Sequence, residues 1–190
     1  ILNVKMLKCF NVKMRGFTLV EMLVAIAIFS LVAGSAIGLF ISAIRSQSKA
    51  LVSQKLLADT SYVMEYMSRA LRMAQKEEDV GGPTGCLSVN GLNYESTGNS
   101  IKFKNMYGKC QEFFLDAQQL KENRPADNIL NLPLTSDDLQ ISSLQFNISG
   151  DTLGDNLQPR VTIIMTMRKA GATGPEIKIQ TSISQRNLDI

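Results

Sequence analysis

Residues 17–44 (FTLVEMLVAIAIFSLVAGSAIGLFISAI) form an almost unbroken apolar run whose single charged side chain is Glu21. As a helix rising about 1.5 Å per residue, the run can cross a hydrocarbon layer roughly 30 Å thick. It is longer than the roughly 7–15 residues of a signal-peptide core, and no A-x-A cleavage site follows it, so the spacing predicts a retained span. Beyond Ile44 the chain becomes mixed, yet the helical period persists. Val52, Leu56, Val63, Met67, Ala70 and Ala74 recur at separations of three, four or seven, which places them on one face. Asp59, Glu65, Arg69, Arg72 and Lys76 fall largely off that stripe, and Glu65 and Arg69 stand in the favourable i, i+4 order. No proline occurs between Phe17 and Pro83. One continuous helix over 18–75 is predicted, its first half in lipid and its second half amphipathic.

From Val80 to Ser100 the breakers Gly81, Gly82, Pro83, Gly85, Gly91 and Gly98 predict turns. After them the period falls to two. Ile101 and Phe103 alternate with Lys102 and Lys104; Leu144, Phe146 and Ile148 alternate with Gln145 and Asn147. Val161, Ile163, Met165 and Met167 form a third set, and Ile177, Ile179 and Ile183 a fourth. These are half-buried strands of an antiparallel sheet, the last two expected as a hairpin turning at Gly171–Pro175. Asp116 to Asp138, with Pro125 and Pro133, reads as a long connection with room for a short helix. One apolar helix face and one apolar sheet face need each other, which predicts an α+β fold. The expected organisation is a leader over 1–16, a membrane or filament-core helix over 17–44, the amphipathic half-helix over 45–78, and a loop-and-sheet domain over 79–190.

The charge is divided as sharply as the hydropathy. Of the formal +3, Lys5, Lys8, Lys13 and Arg15 all precede the apolar run, and no acidic residue does. Without residues 1–16 the chain carries 16 basic and 17 acidic side chains, a balance of −1. The excess is a topological signal that keeps the N-terminus cytoplasmic, not a nucleic-acid footprint. Either Met6 or Met14 fits as initiator, and Met14 would make the leader only Met-Arg-Gly. Cys9 falls in the leader, so the exported part holds Cys86 and Cys110, an even pair that reads as a disulfide in an oxidising compartment, with two free buried thiols as the alternative.

The chemistry concentrates at Arg15-Gly16-Phe17-Thr18-Leu19-Val20-Glu21. Gly16 gives a peptidase an uncrowded, extended bond at the membrane face. Glu21 is a carboxylate in a spanning segment, which costs roughly 2.5–3.5 kcal/mol by insertion scales when unpartnered. Thr18-Leu19-Val20-Glu21 also fits the capping box S/T-x-x-E, in which Glu21 serves its own helix start. Capping accounts neither for the Gly16-Phe17 junction nor for a helix running on so far.

This constellation resembles the prepilin N-terminal signature of type IV pilins and type II secretion pseudopilins. The resemblance implies cleavage between Gly16 and Phe17 by a membrane prepilin peptidase, and N-methylation of Phe17 by the same enzyme. It makes Glu21 the acidic fifth mature residue, which pairs with the N-terminal ammonium of a neighbouring subunit. The implied partners are other pilin or pseudopilin subunits, the prepilin peptidase/methyltransferase, a membrane assembly platform and the lipid bilayer, with no nucleic acid. The implied location is the bacterial inner membrane, single-pass, with the N-terminus cytoplasmic and the C-terminal domain periplasmic or extracytoplasmic. Leu134 to Asp138, Leu144-Gln145-Phe146 and Gln180 to Arg186 are similar to the J-type minor pseudopilin, a subunit at or near the filament tip. Gly38 stands where major pilins often carry proline. The rival readings are a minor pilin of a type IV pilus or competence DNA-uptake system and, in a different class, a signal-anchored ligand-binding receptor that does not polymerise.

Ser30, Gly34, Gly38 and Ser42 share one stripe, suited to close helix packing, although glycine is also common in membrane helices. The chain has no histidine and no nucleophile motif, so no catalytic residue, no metal and no cofactor is assigned. Asp137-Asp138 is read as starting a strand or turn. Asp151, Asp155 and Asn156 lie near Gly150 and Gly154, but their spacing departs from a calcium loop and favours a polar turn. Lys102, Lys104 and Lys109 are read as a solvated strand face rather than a DNA patch.

Overall fold

The computed structural model describes residues 16–151, 157–171 and 176–186. Its chain divides into two units, Ile1–Ser46 and Gln47–Ile190. Helix α1 (Leu19–Arg72) runs through both. In the first unit its apolar side chains are exposed, and an 18-residue window reaches a mean hydropathy of 2.5, enough by length and composition to cross a membrane.

In the second unit the expected stripe is the buried one. Leu56, Val63, Met67 and Ala74 are in the core, with Val52 and Ala70 packed against it. Thr60, Met64 and Leu71 join them. The Glu65–Arg69 pair closes at 2.7 Å on the open face, where it contributes only tenths of a kcal/mol, about 0.3–0.5.

The helix ends three residues earlier than its periodicity predicts, for a tertiary reason. Tyr94 Oη donates to the Leu71 carbonyl (2.7 Å) and the Arg186 amide to the Arg72 carbonyl (2.9 Å). Gln185 Nε2 donates to the Ala74 carbonyl at 2.7 Å, while the Gln75 amide turns away to the Lys104 carbonyl at 2.8 Å. The terminal carbonyls that a continuing helix would use are taken by the sheet domain.

The strands are β1 (Tyr94–Ser96), β2 (Ser100–Lys104), β3 (Cys110–Asp116), β4 (Gln119–Arg124), β5 (Ile129–Pro133), β6 (Leu139–Ser149), β7 (Arg160–Lys169) and β8 (Glu176–Ser184). They make two antiparallel sheets rather than the one expected, a five-stranded β1-β2-β3-β4-β5 and a three-stranded β6-β7-β8. The α+β expectation holds. All four predicted alternations lie in strands, and β7 pairs with β8 from Arg160↔Ser184 to Arg168↔Glu176. Residues 172–175 of the expected turn lie outside the described residues.

The connection from Asp116 to Asp138 is corrected. It holds β4, a single 3-10 turn at Pro125–Asp127, and β5. The alternation was hidden because the inward positions are not all apolar: Glu122 of β4 and Gln111 of β3 are buried beside Leu120 and Phe113.

Cys86 and Cys110 form a disulfide, their Cα atoms 5.1 Å apart, joining the loop after α1 to the start of β3. A closed loop of this size contributes about 3–4 kcal/mol in the chain-entropy model. Free-thiol labelling of folded, non-reduced protein should therefore find neither cysteine reactive. Two labelled thiols would break this assignment, and loss of the bridge in Cys86→Ala should lower the unfolding free energy by a similar amount.

Candidate functional site

The described N-terminal segment begins in open surroundings. Gly16 and Phe17 are exposed, Phe17 by 75%. Thr18 caps the helix: the Glu21 amide donates to Thr18 Oγ1 at 3.3 Å, and the Met22 amide to the Thr18 carbonyl at 3.2 Å. One half of the capping box is therefore formed, by Thr18 rather than by Glu21. The Glu21 carboxylate is exposed and has no hydrogen-bond or ion-pair partner among the described residues. Ser30 Oγ is satisfied within the helix, donating to the Ile26 carbonyl at 2.8 Å. A Cβ added to Gly34 or Gly38 would meet nothing within 4 Å, so the lone chain has no internal need for glycine at either position.

A second cluster, which the sequence did not announce, organises the loop after α1. Glu77 is fully buried just beyond α1. Its Oε1 accepts from the amides of Glu78 (3.1 Å) and Asp79 (3.0 Å) and from Lys104 Nζ (3.1 Å). Its Oε2 accepts from the amides of Cys86 (2.6 Å) and Leu87 (3.0 Å). Burial alone would raise its pKa, but the amides of Leu87, Asp79 and Cys86, together with the Lys104 ammonium, outweigh burial and hold it at about 2. The loop closes tightly around this carboxylate: a Cβ on Gly85 would sit 2.5 Å from the Asp79 carbonyl oxygen. The acidic run Glu77-Glu78-Asp79 was the only signal in the sequence, and nothing local says that its first member turns inward.

A second buried carboxylate lies under the helix. Glu122 accepts from Tyr66 Oη at 2.9 Å and Gln111 Nε2 at 2.7 Å, with Arg124 Nε 2.6 Å away. Burial, then the hydrogen bond to Glu122, pushes the Tyr66 hydroxyl up to about 12. Both carboxylates are held in networks of buried structural partners.

The remaining candidates separate. Lys104 is buried on Glu77, Lys109 pairs with Asp127, and Lys102 stands between Glu95 and Glu112 across the ladder. The three lysines therefore share no basic surface, nor the common solvated face first read for them. Asp138 accepts from Lys55 at 3.0 Å just before β6. Asp151 spends its carboxylate on the amides of Asn93 (3.0 Å) and Tyr94 (3.3 Å), while Asp155 and Asn156 lie outside the described residues. Among the described residues no group of three or more acidic or cysteine side chains is placed to hold a metal ion.

Residues 12–37 match the prokaryotic N-terminal methylation motif, the signature of type IV pilins and pseudopilins. No curated protein and no solved structure matches the chain. The motif supports a pilin-like protein, and the long N-terminal helix with antiparallel sheets is consistent with a pilin-like α+β architecture. The motif implies contact with other pilin subunits and with a prepilin peptidase, and the apolar helix is consistent with a single-pass membrane anchor.

Proposed function

We propose that this chain is a minor subunit of a pilus-like envelope filament, most similar to a J-type minor pseudopilin of type II secretion. The carrying observation is the methylation motif over residues 12–37, with Glu21 in the first turn of an exposed apolar helix and without a partner among the described residues. On this reading the peptidase removes residues 1–16 and methylates Phe17. Residues 17–44 then wait in the inner membrane, with residues 45–190 outside the cytoplasm, until they enter the filament core. Ser30, Gly34, Gly38 and Ser42 lie against neighbouring helices there, which would supply the close contact that the lone chain lacks. The new ammonium of Phe17 pairs with Glu21 of an adjacent subunit.

Mass spectrometry of the membrane-extracted protein from its native host tests the reading at its first step. The mature N-terminus should be N-methylated Phe17. An intact leader in cells that contain the peptidase would overturn the proposal and leave a plain signal-anchored receptor.

A further inference from the structure

The five-stranded sheet carries a groove of about 520 Å³ on the face turned away from the core. Its floor is a row of side chains on consecutive strands, Lys102 on β2, Glu112 on β3 and Asn123 on β4, matched by the register Lys102↔Glu112 and Glu112↔Asn123. The residues that follow or precede them, Phe103, Phe113 and Glu122, are fully buried, so the three project to the opposite side. One wall is Pro83 to Gly85. It is fixed by the Cys86–Cys110 disulfide beside it and by Thr84, whose amide and hydroxyl donate to Asp79 Oδ2 at 3.3 and 2.7 Å. The other wall is Pro125-Ala126, in a turn closed by the Asn128 amide on the Pro125 carbonyl at 3.0 Å. The groove is therefore preformed, and its volume lies within the roughly 300–1,000 Å³ of ligand clefts.

Much of the hydrogen-bonding capacity of this floor is unspent. The Lys102 ammonium makes no hydrogen bond or ion pair among the described residues. Glu95, its neighbour on β1, is occupied by the amide and hydroxyl of Ser88 at 3.2 and 3.0 Å. Glu112 Oε2 accepts from Asn123 Nδ2 at 3.3 Å, which leaves Oε1 open. Asn123 Oδ1 is held by the Asn131 amide at 2.8 Å, which fixes the side-chain amide and leaves its second Nδ2 hydrogen over. The row thus reads donor, acceptor, donor. Lys109 also lines the groove, but its ammonium is paired with Asp127. One free charge of each sign remains.

We propose that this groove binds a short stretch of a neutral glycan chain. A hydroxyl donates and accepts at once, so a run of sugar hydroxyls satisfies Lys102, Glu112 and Asn123 together without bringing a charge. Tyr107 stands next to the lining residue Gly108 in the β2–β3 turn, and its own amide is tied to Asn105 Oδ1 at 3.0 Å. It is 74% exposed, and its electron-rich ring face suits the C–H side of a sugar ring. Other ligand classes fit less well. An anion on Lys102 would sit beside Glu112 with no second free ammonium to offset it. An extended peptide would find no strand edge, because β2, β3 and β4 spend their main-chain groups on one another. An apolar molecule would cover Lys102 and Glu112 without partnering either.

The test uses the whole chain in micelles of a detergent without a sugar headgroup, titrated with cellotriose, maltotriose and the β-1,4-linked trimer of N-acetylglucosamine. At least one should bind with a Kd of about 1 mM or tighter and shift the amide resonances of Lys102, Glu112 and Asn123 while those of β8 stay put. Which trimer binds separates a plain glucan from an amino-sugar chain as the source. Affinity should change less than about twofold between about 0.05 and 0.5 M salt, because the ligand has no charge to screen. Lys102→Ala and Glu112→Ala should each weaken binding about tenfold, and Tyr107→Ala by several-fold, with amide exchange in β7 unchanged as the check on folding. Lys178→Ala, on β8 outside the groove, should bind as the parent does. No binding by any trimer at about 10 mM, or full affinity in both Lys102→Ala and Glu112→Ala, would overturn the proposal. So would tighter, salt-sensitive binding of triglutamate at the same residues, because the groove would then be an anion site. None of these outcomes depends on whether Phe17 is methylated.

Discussion

Glu77→Ala should lower the unfolding free energy of the chain by about 3–5 kcal/mol, the range for removing one partner from a buried ion pair. The reason is the number of groups that lose a partner together. Lys104, almost fully buried, would lose its counter-ion, and the amides of Glu78, Asp79, Cys86 and Leu87 would lose their acceptor. Glu77→Gln tests charge separately from shape, since it keeps the volume but sets an amide nitrogen against donors. Denaturant unfolding of the full chain in micelles, read at the sheet signal, measures both variants. A loss below about 1 kcal/mol in each would reduce Glu77 to an ordinary loop residue.

The same carboxylate gives the fold an acid limit whose sign is fixed. Its folded pKa of about 2 lies below the ordinary 4.5, so the native state binds fewer protons than the unfolded chain between those values. The associated stabilisation, about 3 kcal/mol for a shift of this size, is fully present above the ordinary value and is lost as pH falls towards 2. Wild-type stability should fall steeply across that window. Glu77→Gln should start lower and lose less, so the two curves converge at the acid end.

Glu21→Val should leave insertion, cleavage and the sheet domain intact while sharply reducing entry into filaments or tip complexes. In the single chain Thr18 caps the helix by itself, so Glu21 is not needed to start it. Its carboxylate also has no partner among the described residues to lose. A lone subunit can keep this charge near the lipid headgroups. Inside a filament water is excluded, and an ammonium brought within contact gains strength as the local dielectric falls. Site-specific crosslinking to other pilin-like subunits, with Glu21→Asp as the conservative control, should show a loss of about tenfold or more for valine, equivalent to about 1.4 kcal/mol. Undiminished crosslinking by the valine variant would demote Glu21 to a spectator of its own helix cap.

Much of this protein was legible because its signals are local. The methylation motif occupies adjacent residues, so Arg15 to Glu21 could be read without any fold. The long helix was legible because its period is carried by residues three and four apart. Val52, Leu56, Val63 and Met67 face the core for that reason alone. The strands at Ile101–Phe103, Leu144–Ile148, Val161–Met167 and Ile177–Ile183 were legible because their buried faces are apolar.

Tertiary structure alone decided the rest, wherever a polar group is buried against a distant partner. Strands β3 and β4 were obscured because Gln111 and Glu122 occupy inward positions. Those positions are tolerable only because Tyr66, 56 residues before Glu122, and Arg124 meet the carboxylate there. Lys104 looked like a surface charge by sequence. It is buried because Glu77, 27 residues earlier, waits for it. The helix stops at Arg72 because Tyr94, Gln185 and Arg186 claim the carbonyls around its end, and no local residue announces that. Periodicity reports which face is apolar. Which polar groups find one another across the core is settled only when the chain closes, because the cost of burying each depends on a partner that lies elsewhere in the sequence.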